Sequence, residues 1–115
     1  MSGFEIFIKA LKLLNYISPE GDYDSSLTLR ALPIINAVYA DIYYFFNSEN
    51  FKPLTDLNET VNLSEKILND VFPYGVAMHI AIGEADALNQ QIFGNIYNSK
   101  KVSLSFSDSR IDVLP

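Results

Sequence analysis

Cysteine is absent from this 115-residue sequence, and histidine occurs once, as His79. The lack of cysteine excludes disulfide bonds, thiolate metal sites and cysteine nucleophiles. A lone histidine leaves no multi-histidine metal site, and any Ser-His-Asp arrangement would depend on this residue. No carboxylate lies one helical turn from His79, since positions 75 and 83 are both glycine. We therefore predict no catalytic residue, no metal ligand and no cofactor, and a protein that is not an enzyme.

Basic side chains are also few. Eight lysine and arginine residues oppose fourteen aspartate and glutamate residues, which gives a net charge of -6. A surface with this balance repels phosphate backbones, so specific binding of nucleic acid is disfavoured. No stretch approaches the roughly 20 apolar residues that cross a membrane, and residues 1–16 do not have the pattern of a signal peptide. We expect a protein without a membrane partner.

Apolar residues make up 49% of the sequence, enough to fill the core of one domain of this length. Their three- and four-residue spacing predicts helices near 3–16, 27–47, 62–71 and 74–82, and a last helix ending near Lys101. Pro33 either lies in the first turn of the second helix, after a turn at 30–32, or bends that helix. The predicted fold is all-α, a small bundle of four to five helices over residues 1–101.

Turn and capping residues separate the predicted helices. Residues 18–26 are rich in acids and turn formers, and predict an exposed connection that caps the next helix. Residues 48–61 indicate an ordered loop, with Phe51 and Leu54 as apolar anchors. Asn62 and Glu65 have the spacing of a capping box, with Asn62 as the cap. Pro73 is predicted to open the helix at 74–82, and Gly83 is predicted to stop it. This helix is small and apolar, so we expect it at the centre of the core.

The last helix and the segment after it carry further predictions. We place four apolar residues on the buried face of the last helix: Leu88, Ile92, Ile96 and Tyr97. From 102 to 107, apolar and polar residues alternate, which predicts a strand. Residues 102–115 are thus predicted to be a C-terminal extended arm that packs on its own domain or docks on another subunit. The candidate partner-binding residues are Val102, Leu104, Phe106, Ile111 and Val113.

The helix at 27–47 is apolar around most of its circumference, with Arg30 and Asp41 as its charged residues. Such a helix is packed on more than one side, by its own chain or by another subunit. Its aromatic residues do not suggest a base-stacking platform, because a basic groove is missing. The subunit-interface candidates are Tyr39, Tyr43, Tyr44 and Phe46.

Three stretches carry a family resemblance: NDVFPYGVAM at 69–78, GEAD at 83–86 and QQIFGNIYNSKK at 90–101. They resemble the head-to-tail connector (adaptor or neck) proteins of tailed bacteriophages and prophages. That family commonly has a Pro-Tyr-Gly-hydrophobic-Ala run, an acidic break and a final helix ending in a Tyr-Asn-x-Lys-Arg-like sequence. Lys101 stands where the arginine of that pattern is expected. Residues 29–41 are similar to the family's long second helix.

The resemblance implies a structural subunit of the phage neck. Such subunits form a ring, expected to be a dodecamer, below the portal, joining the DNA-filled head to the tail and continuing the DNA channel. The implied partners are the portal protein, a stopper or other neck or tail-completion protein, and further copies of the chain. DNA would pass without sequence-specific binding. The implied location is the virion neck, assembled in the host cytoplasm.

The residues themselves leave an alternative open. A small acidic regulatory or inhibitor protein that binds a partner through its aromatic helix has the same composition and the same apolar surface. The two hypotheses differ in assembly, because a regulator forms no ring with the portal.

Overall fold

The structure, a computed structural model, describes the backbone of residues 1–46 and 50–113, and their side chains up to Ser105. Over these residues the chain is built from five α-helices and one 3-10 helix. Its only β-type pairing there is an isolated bridge between Ser2 and Thr60. The helices are α1 Gly3–Leu14, the 3-10 helix Ser25–Arg30, α2 Ala31–Phe46, α3 Glu65–Asp70, α4 Phe72–Gly83 and α5 Ala87–Val113. The predicted all-α helical bundle is confirmed.

Helix α1 begins with a capping box that its apolar spacing did not reveal. The Ser2 hydroxyl accepts a hydrogen bond from the Glu5 backbone amide, and the Glu5 carboxylate accepts one from the Ser2 amide. These bonds satisfy two amides that the first turn of a helix leaves unpaired. The helix ends where Asn15 adopts the left-handed conformation, with a φ of 60°. Its buried face carries Ile6, Phe7, Ala10, Leu11 and Leu14.

The connection from α1 to α2 agrees with the first of the two predictions for Pro33. Asp24 caps the 3-10 helix by accepting a hydrogen bond from the Ser26 amide at 2.9 Å. Helix α2 starts directly afterwards at Ala31, which places Pro33 in its first turn. The missing amide of proline costs little at that position, because the first amides of a helix have no partner within the helix.

The loop before α3 is ordered as predicted over its described residues, but the cap of α3 is not Asn62. Leu54 is buried, and the Asn36 side chain bonds both its amide and its carbonyl. Helix α3 begins at Glu65, so the cap is Ser64, whose hydroxyl accepts a hydrogen bond from the Ile67 amide at 3.3 Å. A serine next to the first helical residue leaves no capping role for Asn62.

Helix α4 lies at the centre of the bundle, as predicted, and contacts α1, α2, α3 and α5. Its buried residues include Phe72, Val76, Ala77 and Ile80. Gly75 lets two neighbours approach closely. A Cβ atom there would lie 2.7 Å from Cε1 of Tyr97 and 2.9 Å from Cγ1 of Val38. Pro73 lies in the first turn and Gly83 is the last helical residue, so both predicted boundaries are confirmed within one residue.

The predicted buried face of α5 is confirmed for Tyr97, which is buried, and for Ile96, which packs on the core, but it is wrong for Leu88 and Ile92. Leu88 is 69% exposed and Ile92 is also exposed, whereas Phe93, Tyr97 and Lys101 are buried at intervals of four residues. The apolar pattern alone favours the face with Leu88 and Ile92. The observed face is selected by Tyr97 against Gly75 and by a carboxylate that pairs with Lys101.

The strand predicted for residues 102–107 is wrong, because α5 continues through Val113. A strand needs a neighbouring strand for its amides and carbonyls, and the described bundle offers none. In a continued helix, the backbone amides and carbonyls of this segment form hydrogen bonds with one another instead. The C-terminal arm is therefore a helical extension, and the 27 residues of α5 span about 40 Å. Within the described part of the chain, no helix has the length and hydrophobicity to cross a membrane.

Candidate functional site

One of the four predicted subunit-interface residues belongs to the core of its own chain. The Tyr39 side chain is only 6% exposed. Its ring centre lies 4.9 Å from that of Phe51 and 6.1 Å from that of Phe72. Tyr39 therefore stabilises the loop after α2 and is covered in the isolated chain. The reason is its register, since it lies one turn from buried Ile35 and Ile42.

The other three candidates lie toward the C-terminal end of α2, with different exposures. Tyr44 is 56% exposed, whereas Tyr43 and Phe46 are half-buried. The rings of Tyr43 and Tyr44 both pack on Phe51, with centres 5.7 and 6.0 Å away. Because neighbouring rings restrain one another, these aromatics form an ordered surface rather than a set of loose side chains.

The predicted partner-binding residues all fall on α5. Val102 is 59% exposed, so its side chain is available to a partner. Leu104 is half-buried and packs on the core of its own chain. The side chains of Phe106, Ile111 and Val113 lie outside the described residues.

A polar cluster that the sequence did not predict joins α2 to α5. The Lys101 ammonium donates to Oδ2 of Asp41 at 2.7 Å, and the Tyr97 hydroxyl donates to the same oxygen. Lys101 is the buried charged residue of the described core, with 8% of its surface exposed, while about half of the Asp41 side chain is in contact with solvent. We call Asp41, Tyr97 and Lys101 the α2–α5 lock.

Aromatic rings complete the surroundings of Lys101. Its ammonium nitrogen lies 4.6 Å from the centre of the Tyr97 ring and 4.9 Å from that of Phe45. Such contacts attract a cation to the negative face of the ring and are strongest where water is excluded. The predicted end of the last helix near Lys101 is wrong, because Lys101 lies in the middle of α5.

The ionisation of the α2–α5 lock follows from this geometry. Burial acts to raise the pKa of Asp41, but the hydrogen bonds from Lys101 and Tyr97 outweigh it and lower that pKa overall. Burial, with the hydrogen bond to Asp41, raises the pKa of Tyr97. The pKa of half-buried His79 is lowered by burial, partly offset by the charge of Asp41. At neutral pH the lock therefore holds an ionised Asp41 and a neutral Tyr97, and His79, which is outside the lock, is neutral.

The lock joins α2 and α5, the two helices that carry the predicted interface and partner-binding residues. Phe45 is exposed on one side and faces Lys101 on the other, and Val102 directly follows Lys101. Tyr44 precedes Phe45 and is more exposed. We call Tyr44, Phe45 and Val102 the α2–α5 surface. Because the lock ties Lys101 to α2, it fixes the position of α5 twelve residues before its last helical residue, Val113.

Two acids, Glu84 and Asp86, hold the turn between α4 and α5. Asp86 caps α5, since its carboxylate accepts from the Asn89 amide at 3.2 Å, and it also accepts from the Tyr16 hydroxyl at 2.6 Å. The hydrogen bonds lower the pKa of Asp86, and burial together with this bond raises the pKa of Tyr16 to about 12. Glu84 instead pairs with Arg30 at 3.0 Å.

In the described residues no three metal-binding side chains come together. The surface cavities are shallow, with volumes of about 210 to 340 Å³, and are lined mainly by lysines and apolar side chains. Comparison of the chain with models of known protein families, with curated proteins and with solved structures found no match.

Proposed function

We propose that the protein is a structural subunit of the neck of a tailed phage. In this role it forms a ring, a dodecamer in the virion, below the portal, joins the DNA-filled head to the tail and continues the DNA channel. The observation that carries the proposal is the α2–α5 surface, where exposed Tyr44, Phe45 and Val102 adjoin a helix that continues to Val113. Exposed aromatic side chains such as Tyr44 and Phe45 are typical of protein-binding surfaces.

The extension of α5 supplies the reach that a connector needs. The α2–α5 lock fixes this helix at Lys101, and twelve further residues continue it to Val113. A helix that is held firmly at one end loses little freedom when it docks in a groove of a partner. The portal protein and a stopper or other neck protein are the partners proposed for this extension.

The charge of the protein suits a channel wall. A net charge of -6 repels the phosphates of a passing duplex, so DNA moves through without being held. The resemblance of residues 69–101 to connector proteins supports the same role. It also supports a location in the virion neck after assembly in the host cytoplasm. In this proposal the protein carries out no reaction and needs no cofactor.

The first test removes residues 106–115. The shortened chain keeps Lys101 and Leu104, which contact the core, and we expect it to fold with the helical signal of the remaining bundle. It should fail to join a purified portal ring in electron micrographs. If the shortened chain decorates the portal as the full chain does, the role proposed for the extension is wrong.

A point variant tests the α2–α5 surface separately. Val102→Asp places a charge on the exposed apolar patch and should reduce portal occupancy, because the charge must lose its water when a partner covers it. Asn58→Asp adds the same charge in the loop between α2 and α3 and should have no effect. A wild-type chain that binds the portal as single copies, without a ring, would instead favour the regulatory alternative.

A further inference from the structure

Half of the basic residues gather on one side of this acidic protein, around Tyr74. Lys9 donates to Oδ1 of Asn69 at 2.7 Å, and the Lys100 ammonium lies 5.0 Å from the centre of the Tyr74 ring. Lys12 lines a cavity with Tyr74, and Lys66 lines the neighbouring cavity with Lys100. We call Lys9, Lys12, Lys66 and Lys100 the basic face.

The basic face is more positive than the chain as a whole. Two carboxylates, Glu5 and Asp70, also line its cavities, so four lysines against two acids leave a charge of +2. Because the whole chain has a net charge of -6, the rest of the chain has a net charge of -8. Among the described residues, the ion pairs are Arg30–Glu84 and Lys101–Asp41, and neither involves the basic face. Its ammonium groups suit a negatively charged partner.

A region of opposite charge lies at the other end of α4. The loop after α1 and the turn after α4 meet there through the hydrogen bond from Tyr16 to Asp86. Together they carry Glu20, Asp22, Asp24, Glu84 and Asp86, with Arg30 as the cation paired to Glu84. We call this region the acidic end.

The two regions remain distinct electrostatically within one molecule. Helix α4 has 12 residues and is about 18 Å long, with Lys66 and Lys100 near its first turn and the acidic end at its last. Charges in water are screened over about 8 Å at physiological salt, so the acidic end does little to neutralise these two lysines. Lys12 lies in the last turn of α1, directly before the acidic loop, but among the described residues no ion pair joins it to Glu20 or Asp22. The charges of both regions are therefore available to a neighbour.

The acidic end and the basic face are also complementary in their apolar residues. Leu88 and Leu29 belong to the segments that adjoin the acidic end and are 69% and 84% exposed. The basic face has the complementary feature, a cavity of about 210 Å³ whose lining includes Leu13, Pro73 and Tyr74. An exposed leucine near acids and an apolar hollow flanked by lysines are complementary in shape and in charge.

We propose that the basic face of one copy binds the acidic end of the next copy. Leu88 enters the cavity beside Tyr74, while Glu20 and Asp22 face Lys9 and Lys12. The two surfaces differ, so the contact is head-to-tail and repeats from copy to copy into a closed ring or an open chain. The inference rests on the proposed neck function for its biological meaning, and it names the contact by which such a ring closes.

Duplex DNA is the competing partner for a basic face, and the surroundings favour protein. Two carboxylates line the same cavities, and the rest of the chain carries a charge of -8 that repels phosphates. An apolar cavity has no use in binding a phosphate backbone, whereas it can hold the side chain of a leucine.

The experiment is sedimentation velocity of the intact protein at several salt concentrations. We expect self-association at low ionic strength that weakens as salt is added. Lys9→Glu/Lys12→Glu and Glu20→Lys/Asp22→Lys should each weaken it by at least about tenfold, because attraction becomes repulsion. An equimolar mixture of the two variants should associate again, since each reversed surface then meets its complement. Lys52→Glu, in the loop after α2, should change nothing.

Several results would overturn the inference. They are a wild-type chain that stays monomeric at low salt, charge reversals without effect in variants that remain folded by circular dichroism, and a mixture that fails to recover. Binding of a labelled DNA duplex that the lysine variant abolishes, without self-association, would assign the basic face to DNA. Self-association as described, in a chain that no portal recruits, would retain the contact and reject the neck function.

Discussion

At the scale of single residues, the burial of Lys101 is the costliest feature of the molecule. Removing an ammonium group from water costs several kcal/mol unless ion pairs and hydrogen bonds replace the lost hydration. Asp41 supplies the opposite charge, and the rings of Phe45 and Tyr97 supply further attraction. Because Asp41 is half-exposed, solvent screens part of that attraction, and the net gain from the pair is modest.

Because Lys101 is buried and Asp41 is half-exposed, replacing Asp41 and replacing Lys101 should lower the free energy of unfolding by different amounts. Asp41→Asn leaves a buried ammonium group without its counter-charge and should lower the free energy of unfolding by about 1–2 kcal/mol. Lys101→Met keeps most of the aliphatic packing and leaves Asp41 facing water, so we expect a smaller loss. Urea unfolding of both variants measures the difference.

The double variant is the control for this prediction. If the pair acts as a unit, the two losses should not add, and the coupling from the double-mutant cycle measures the interaction. A larger loss for Lys101→Met than for Asp41→Asn would mean that packing of the lysine stem, rather than its charge, decides the stability of the lock.

At the scale of the helices, the close approach of α4 and α5 depends on glycine. Gly75→Ala would put a methyl group 2.7 Å from the Tyr97 ring and 2.9 Å from Val38, and both neighbours are buried. We expect a loss of about 1–3 kcal/mol from this overpacking. Thermal unfolding followed by circular dichroism measures it.

Gly94→Ala is the matched control within α5. Its methyl group would meet the Met78 sulfur at 3.1 Å, and a flexible methionine side chain can move aside. The better helix propensity of alanine, up to about 1 kcal/mol, should make this variant neutral or slightly more stable. Equal losses at both positions would show that tight packing at Gly75 is not the cause.

Most helices could be predicted from local signals, because those signals agreed with the fold. The three- and four-residue spacing marked α1 and α2, and Pro73 and Gly83 marked α4. The errors arose where a distant residue decides between local options. Ser64 replaced Asn62 as the cap once Glu65 began α3. The rotation of α5 was set by Gly75 and by Asp41 in other helices, which no pattern within α5 reveals.

The exposure of the predicted contact residues could be predicted only in part. Tyr44 and Val102 are exposed, and their role as contacts stays a prediction. Tyr39 was placed at an interface because its helix is apolar on most sides, yet the loop after α2 covers it. The lock had one sequence signal that was not used: Asp41 is an isolated charge in a long apolar helix, and such a charge needs a partner.

At the scale of the whole molecule, several groups make stability depend on pH in the same direction, with His79 and Asp41 among them and Asp86 acting like Asp41. The pKa of His79 is lowered in the folded chain, so the unfolded chain binds a proton more readily below its unfolded pKa of about 6.5. The pKa of Asp41 is also lowered, so its contribution is present above about pH 4 and is lost on further acidification.

We therefore expect the free energy of unfolding to fall in two steps as the pH is lowered from 7.5. His79→Gln should remove the step just below pH 6.5 and leave the acidic step, because glutamine does not titrate. Asp41→Asn should reduce the acidic step. Urea unfolding across this pH range distinguishes them. A wild-type curve that is flat between pH 7 and 5 would contradict the contribution of His79.

The order of the helices also affects how the molecule is made. Helix α4 packs against α1, α2 and α3, which are all synthesised before it. It also packs against α5, whose Tyr97 and Lys101 emerge from the ribosome later. Until then one apolar side of α4 has no cover, and a nascent chain in that state is prone to aggregate or to bind a chaperone. Formation of the native core should thus wait until synthesis has passed Lys101.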